Sequence, residues 1–574
     1  MTFAERSYEY CVQAVSDTLP HRKASNLEKL ACQRQIRDLE LQNDEDFPYY
    51  FDEAAGNRHC KFMELMPHTK GLWKGTKLVL EPHQIFIHHT IFAWKKKSSG
   101  YRRFTKTYLE LPRKNGKSLS AAGVALYLAF ADGEIGAEVY CGATVLAQAM
   151  AVFEPCWQMC NLNPEFKQAY EITLAGTAKN PTSVYRLSDM SRCEPVIGKP
   201  GDGANVSGAI IDEYHEHPDA GLLGTMVTGT GSRPQPLIFI ITTAGFDTSY
   251  PCFEEHLEAI KILEGTLQKE NVFTMIFGTD VDSDWTDWNT WTTANPNYGV
   301  SILPDSLKET YATAMNSLKD RNIILCKHLN IWCNSSSAWM DMQKWDACKD
   351  RSLKLKDFEG QECWIGVDLA SKIDLCAVML LFRMSGGRIA TFGFYYLPSE
   401  TIEKPENSHY QLWVEEGILT KTEGARTDFK LIEDDIRKLA KRFIVKELAF
   451  DEKEAAYWVQ NLQEDSNFEC VAVTQSPAAI SEPMKSLEAL IYAQEFVHSD
   501  DKLLNWAMSN VVKKQAKSGG ATKSYYPTKQ TAANKIDPVV AIITALSRML
   551  TYDDDGDSYN SRAAKGETDI LRVL

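Results

Sequence analysis

Short apolar runs alternate with amphipathic stretches through the middle of this chain. Phe104–Leu109, Ala137–Ala143, Val206–Glu213 and Leu237–Gly245 read as strands. The small-residue run Leu119–Leu128 and the stretch from about Val145 to Cys160 read as helices between them. Strands apolar on both faces belong in a parallel sheet covered by helices, so residues 46–250 are expected to form an α/β domain. Tyr170–Ser188 breaks into shorter strand-like pieces around Gly176 and Asn180-Pro181. Upstream, Leu27, Leu30, Ile36 and Leu39 give residues 1–45 a helical period, and Ile85–Trp94 reads as an apolar helix. Residues 251–354 carry Trp285, Trp288, Trp291, Trp332, Trp339 and Trp345 and read as a helical connector. A second group of strands follows at Cys363–Leu369, Leu375–Phe382, Arg388–Tyr396 and Lys446–Asp451. A helix from about Phe429 to Arg442 precedes the last of these, and another runs from Asp537 to Leu546. Residues 355–552 are therefore expected to be a second domain, whose opening antiparallel strands suit a ribonuclease H-like fold. The acidic run Asp553-Asp554-Asp555 opens a C-terminal tail, 553–574, expected to be flexible.

Composition narrows this only a little. At 574 residues the chain is too long for one core, and 44% hydrophobic with 24% charged is ordinary for a globular protein. No apolar run approaches the length of a membrane span, and the N-terminus lacks a signal-peptide core, so a cytosolic location is expected. The 14 cysteines include no C-x-x-C pair, which suits reduced thiols and argues against a zinc site. A net charge of −15 argues against a surface coated by nucleic acid but leaves room for a local basic channel. Asn510–Lys535 is a candidate for one, with lysines at 513, 514, 517, 523, 529 and 535 and no acidic residue. A solvated loop and a DNA contact are both open readings of it.

Between the strand ending at Leu109 and the helix from Leu119 lies Glu110-Leu-Pro-Arg-Lys-Asn-Gly-Lys-Ser118. Strand, tight loop, Gly-Lys-Ser and helix form the layout of a phosphate-binding loop, in which backbone N–H groups face the phosphates. Lys117 would reach the β- and γ-phosphates of ATP, and the Ser118 hydroxyl would ligate Mg²⁺. Leu111 stands where the usual pattern has its first glycine. The apolar run ending at Asp212-Glu213 supplies a carboxylate for the metal shell and a second to orient the attacking water. The Thr242-Thr243 end of the next strand would lie near the γ-phosphate. Gln84, just upstream of the domain, can pair its amide with the adenine N6/N7 edge.

The second domain places Asp368 and Asp451 at strand ends and Asp537 at a helix start. Three such carboxylates can converge on two divalent metals that stabilise the attacking and leaving oxygens of a phosphodiester. Asp374 could face the same site. Helix capping is the other reading of Asp537.

With these motifs in this order, the chain resembles the large terminase subunit of tailed bacteriophages. The resemblance runs from about Leu80 to Met549 and rests on Pro-His-Gln84, the loop ending at Ser118, Ile-Ile-Asp-Glu213, Ile-Thr-Thr-Ala-Gly245, Ala-Asn-Pro-Asn297, Leu-Asn-Ile-Trp332, Gly-Val-Asp368, Phe-Asp451 and Lys-Ile-Asp537. A missing first glycine is typical of that family. The resemblance implies a P-loop, RecA-like ATPase domain followed by a ribonuclease H-like nuclease. It implies ATP-driven translocation of double-stranded viral DNA into a procapsid and cutting of concatemers with Mg²⁺ or Mn²⁺. It further implies a portal protein, a small terminase subunit and a ring of copies as partners, in the host cytoplasm. Within the loop, Arg113, Lys114, Asn115 and Gly116 would join Lys117 at the nucleotide. Arg113 matches a position where the family carries an arginine for γ-phosphate charge, and Arg233 is the weaker alternative.

Two rivals come from other classes. Asp212-Glu-Tyr-His215 spells a DExH box and, with Gln84, suggests a superfamily 2 helicase. No Q-x-x-G-R-x-x-R stretch of a second helicase lobe follows residue 250. A scaffold that has lost its activity is the other rival, and the retention of Lys117, Ser118, Asp212, Glu213 and all three nuclease acids speaks against it.

Overall fold

The computed structural model describes residues 1–552, apart from 199–202, 249, 281–282, 334–338, 370–373, 405–406, 452–457, 460, 464–467, 517–523 and 530–533. The expected tail 553–574 lies outside the described residues, as do Lys517 and Lys523. Two compact units meet in sequence after Cys333.

The first unit opens with helices Phe3–Val15 and Asn26–Leu41, as the N-terminal period predicts. A reciprocal cap between Thr2 and Glu5 starts the first helix. Arg22 and Glu28 form a buried ion pair at 2.6 Å. A small antiparallel pair follows, β1 (Tyr49–Phe51) with β2 (Trp94–Lys96), flanking the helices Glu53–Leu65 and Pro82–Ala93. The main sheet holds β3 (Lys106–Glu110), β4 (Glu138–Ala143), β5 (Ile172–Thr177), β6 (Asn180–Arg186), β7 (Ser191–Ile197), β8 (Val206–Asp212), β9 (Leu237–Thr242) and β10 (Val272–Ile276). Their spatial order is β10-β3-β9-β8-β4-β7-β6-β5. The strands from β10 to β7 run parallel, and β6 and β5 extend the edge antiparallel. Every residue of β8 and β9 is buried, which puts these two runs at the centre. The scattered cysteines are free and mostly buried. Cys141, Cys156 and Cys193 bring their sulfurs within 4.8 Å of one another in this core.

One expectation is corrected here. Residues 251–354 are not a helical connector, because they divide between the units and include a strand. Val272–Ile276 pairs with β3 from Val272↔Lys106 to Ile276↔Glu110, and all five of its residues are buried. The helix Asn26–Leu41 covers it, with Arg34 donating to the Val272 carbonyl at 2.9 Å. The run Val-Phe-Thr-Met-Ile is short and lacks alternation because neither face meets water, so it is hard to separate from flanking helical sequence.

The second unit holds β11 (Glu362–Asp368), β12 (Cys376–Arg383), β13 (Ile389–Pro398), β14 (Leu419–Thr422), β15 (Ile444–Asp451), β16 (Glu469–Val473) and β17 (Phe496–His498). The order is β14-β13-β12-β11-β15-β16, with β17 also on β13. β11, β12 and β13 are antiparallel, and β15 and β16 continue parallel to β11. That topology is ribonuclease H-like, not a second parallel helicase lobe. Alternate residues separate the two faces. Ala377, Met379 and Leu381 pack with the helices Pro477–Tyr492 and Asp537–Met549. Cys376, Val378 and Leu380 pack with Ile432, Ile436 and Leu439 of the helix Phe429–Arg442. The lysine-rich stretch is partly a hairpin of β18 (Val511–Gln515) and β19 (Tyr525–Lys529). No helix among the described residues is long and apolar enough to cross a membrane.

Candidate active sites

In the first unit, the carboxyl ends of β3, β9 and β8 lie side by side and form one crevice. The loop leaving β3 turns back through Lys114 at φ +69° and Gly116 at φ +81°. A Cβ at Gly116 would also sit 3.1 Å from the Gln84 amide nitrogen, so glycine serves both the turn and the close approach. The helix Lys117–Phe130 starts at once. Ser118 is its second residue, and Lys117 Nζ donates to the Leu111 carbonyl at 2.8 Å. Asn115 does not turn its amide to the crevice, since it donates to Pro112 O and to Asn295 Oδ1 at 3.0 Å. Its side-chain Oδ1 accepts the Asn297 N–H at 3.0 Å. Ser301 caps the Lys114 carbonyl. The Ala-Asn-Pro-Asn segment is thus a brace for the loop, a role its sequence position did not reveal.

Asp212 ends β8 in a buried position. Burial, then the Glu213 charge, push its carboxyl up to about 7 against the pull of Lys117. Burial likewise brings Lys117 down to about 8 against the pull of Glu213 and Asp212. A desolvated cation facing desolvated acids is an arrangement typical of functional clefts. Glu213 sits at φ 46°, ψ 48°, with its N–H on Asp212 Oδ1 at 2.9 Å. That left-handed kink costs energy for a non-glycine residue and turns the side chain out of the strand direction. Thr243 is buried, its hydroxyl donating to the Ala244 carbonyl at 2.9 Å. Arg113 has an exposed side chain, while its N–H donates to the Lys327 carbonyl at 2.8 Å. Arg233 is elsewhere: its guanidinium binds the carbonyls of Ile135, Gly136 and Asn205, at the starts of β4 and β8. It therefore lies at the opposite end of the strands from the loop. Gln84 and Gly116 line a cavity of about 550 Å³ with Trp73, Leu78, Leu80 and Asn297. Sequence reasoning missed Lys327, which is buried with Nζ 2.7 Å from His215 Nε2. No local signal marks a lysine between Cys326 and His328 as part of a site.

In the second unit, Asp368 and Asp451 end neighbouring parallel strands, with Val367 opposite Phe450 one residue before them. The helix Asp537–Met549 lies against β11 because Gly366 leaves room, since a Cβ there would collide with the Ala541 carbonyl. This contact brings Asp537 to the same strand ends. Asp537 is the first residue of its helix, beyond the capping position, which Ile536 takes without a side-chain bond. Burial, then the Asp537, Asp451 and Asp374 charges, raise the Asp368 pKa well above the ordinary range. Burial and then Asp374 push Asp537 up to about 6. Asp537 Oδ2 is buried without a hydrogen-bond partner. Converging carboxylates with an unsatisfied buried oxygen fit a divalent cation such as Mg²⁺ or Mn²⁺, which prefers oxygen ligands. Asp374 carries ion pairs to Lys535 and, at 3.8 Å, to Lys529. Lys513 is paired with Glu488 at 2.9 Å, leaving exposed Lys514 as the more available hairpin cation.

Known proteins also match the chain in two parts, with the boundary earlier in the sequence than that between the units. Residues 82–261 match the family model of the terminase large subunit ATPase domain, and residues 266–553 that of its endonuclease domain. The second match begins inside the first unit, upstream of β10. Protein YmfN of Escherichia coli (strain K12) is 35% identical over 392 residues, covering 66% of this chain and 86% of that protein. The terminase large subunit of Enterobacteria phage HK97 is 25% identical over 353 residues, 60% of this chain and 67% of that one. The crystal structure of the HK97 bacteriophage large terminase is similar at 21% identity and a TM-score of 0.42, covering 86% of this chain and 99% of that chain. The phosphate-loop crevice lies mostly within the first matched range and the acidic site within the second, and the chain belongs to the terminase large subunit family, with an ATPase domain and an endonuclease domain.

Proposed function

We propose that the crevice of the first unit hydrolyses ATP to drive double-stranded viral DNA into a procapsid, and that the acidic site of the second cuts the concatemer. Lys117 and the backbone N–H groups from Lys114 to Ser118 hold the β- and γ-phosphates. Ser118 and Asp212 would hold Mg²⁺, and Glu213 orients the attacking water and takes its proton. Arg113 meets γ-phosphate charge, Gln84 faces the adenine in the cavity beside Gly116, and Thr243 lies behind the γ-phosphate. The observation that carries this reading is the meeting of Lys117, Asp212 and Glu213 at the carboxyl ends of the parallel strands β3 and β8, with β9 between them. Glu213→Gln tests it. Nucleotide affinity should stay close to wild type while phosphate release falls by about 10²-fold or more, the usual worth of a general base. Unchanged turnover would remove Glu213 from the reaction.

At the second site Asp368, Asp451 and Asp537 would hold two divalent cations, Mg²⁺ or Mn²⁺, with Asp374 at the margin. Bound there, the cations would stabilise charge on the attacked phosphodiester. The packaging role implies docking on a portal protein, delivery of DNA by a small terminase subunit, and a ring of copies of this chain in the host cytoplasm. The lysine hairpin would contact DNA phosphates. Lys514→Ala should reduce the slope of log affinity against log salt by about 0.9, the loss of one phosphate contact on duplex DNA. A slope equal to wild type would return Lys514 to a solvated surface role.

A further inference from the structure

The helix Leu318–Leu329 has no place in the chemistry described so far, yet it is tied to the crevice at several points. The Lys327 carbonyl accepts the Arg113 N–H at 2.8 Å. Cys326 Sγ donates to the Ala244 carbonyl at 3.1 Å. Asn330, in a left-handed conformation at φ 55°, accepts the Ala244 N–H at 3.0 Å and donates to the Phe277 carbonyl at 2.7 Å. These bonds hold the end of the helix against the phosphate loop, β9 and β10 at once.

Between those anchors, the Lys327 side chain enters the crevice. Its Nζ lies 2.7 Å from His215 Nε2 and 3.5 Å from Thr243 Oγ1. The protons of this network can be assigned. The Lys327 ammonium can only donate to His215 Nε2, so Nδ1 carries the ring proton towards Thr242 Oγ1, a hydroxyl that itself donates to the Thr243 carbonyl at 2.9 Å. That hydroxyl accepts both the His215 N–H and Nδ1–H at 3.0 Å. His215 is therefore a neutral imidazole with its lone pair on Nε2, facing the ammonium. Thr243 spends its proton on Ala244 and can likewise only accept from Lys327. Among the described residues both direct hydrogen-bond contacts of this buried ammonium are neutral groups, while the Glu213 and Glu216 charges act on it without touching it, Glu216 Oε1 lying 3.5 Å from His215 Nε2. Neutral partners compensate desolvation less well than a directly bound anion would. Glu213 Oε2 stands 3.3 Å from His215 Nδ1, on the far side of the ring. Arg113, Lys117 and Lys327 act electrostatically on one another here, so three cations share the crevice with Asp212 and Glu213.

We propose that Lys327 is a second cation for the terminal phosphate of ATP, exchanging His215 for a γ-phosphate oxygen when the nucleotide carries one. This rests on the reading of the crevice as the ATP site and adds to it a residue that separates ATP from ADP. A phosphate oxygen outcompetes a neutral imidazole for an ammonium because the new bond is charge-assisted on both sides. ADP ends at the β-phosphate, held by Lys117 and the loop, and leaves Lys327 on His215. The helix Leu318–Leu329 thereby receives a pull that depends on the γ-phosphate, and His215 carries the change to Glu213, 3.3 Å from its Nδ1.

The test titrates the full chain, with Mg²⁺, against ATPγS and ADP, and follows phosphate release from ATP. Lys327→Met should weaken ATPγS binding by about 10- to 100-fold, the worth of one charge-assisted bond, while ADP affinity stays within a factor of two. Lys327→Arg should recover part of the ATPγS preference, because it restores the charge. Retained ADP binding certifies that the variant is folded. An unchanged ratio of ATPγS to ADP affinity, or an equal loss of both, would overturn the proposal. Lys117→Ala is measured alongside, and its failure to weaken either nucleotide would instead sink the ATP-site reading and this inference with it.

Discussion

Asp368→Asn and Asp537→Asn should each abolish cutting of plasmid DNA, by about 10³-fold or more, since groups that act as a unit fail together. ATP hydrolysis should persist, because Lys117, Asp212 and Glu213 belong to the other unit. Asp451→Asn should match them. Asp374→Asn should be milder, since Asp374 is engaged by Lys535 and Lys529. The raised pKa values add a signature that simple loss of a contact would not give. Burial and neighbouring charge hold Asp537 at about 6 and Asp368 above its ordinary range, so in chelator the folded chain keeps protons that the unfolded chain has lost. Stability without a divalent cation therefore falls as pH rises from about 4 through 6 and stays low above it. Asp537→Asn removes that penalty and should be more heat-stable than wild type at pH 7.5 in chelator, on the order of 2–3 kcal/mol. The difference should shrink towards pH 4. Adding Mg²⁺ or Mn²⁺ should stabilise wild type and do little for the variant. Cutting by both variants, or identical melting of all forms with and without cation, would remove these acids from the site.

The parts of this molecule that could be read from sequence are those in which chemistry and local structure coincide. The loop from Glu110 to Ser118 combines a strand end, a tight turn and a helix start within a few residues, so its role shows in the local pattern. Asp212, Asp368 and Asp451 end apolar runs, and Asp537 opens an apolar helix. Each announces itself by the change of polarity. What stayed hidden depends on partners distant along the chain. β10 is legible only beside β3, since its residues are buried by the helix Asn26–Leu41 and by its sheet neighbour. Asn295 and Asn297 were visible as a motif, but their hold on Asn115 spans a gap that no periodicity crosses. Lys327 gave no signal, because a lysine on a mixed helix is ordinarily a surface residue. Gly366 stood in the motif beside Asp368, yet only the packing of Asp537–Met549 on β11 explains it.

Lys117→Ala should abolish ATP hydrolysis, with a loss of about 10³-fold or more, because it removes a positive charge from the transferring phosphoryl group. The structure predicts more than a missing contact. Lys117 lowers the pKa of Asp212, which burial and Glu213 already push up to about 7. Without the ammonium, Asp212 rises further and is protonated in a larger fraction of molecules at neutral pH. A protonated carboxyl is a poor Mg²⁺ ligand, so the cation should bind more weakly at pH 7 and recover as pH rises. The residual activity of Lys117→Ala should accordingly shift to alkaline pH and demand more Mg²⁺, while that of Glu213→Gln should not. In Glu213→Gln the neighbouring negative charge is gone, and the Asp212 pKa falls instead. The two variants are thus expected to move the Mg²⁺ requirement in opposite directions at pH 7, although both stop turnover. Phosphate release measured across pH 6–9 at several Mg²⁺ concentrations decides the matter. Wild-type hydrolysis by Lys117→Ala, or the same displacement in both variants, would mean that Lys117, Asp212 and Glu213 do not form one electrostatic unit.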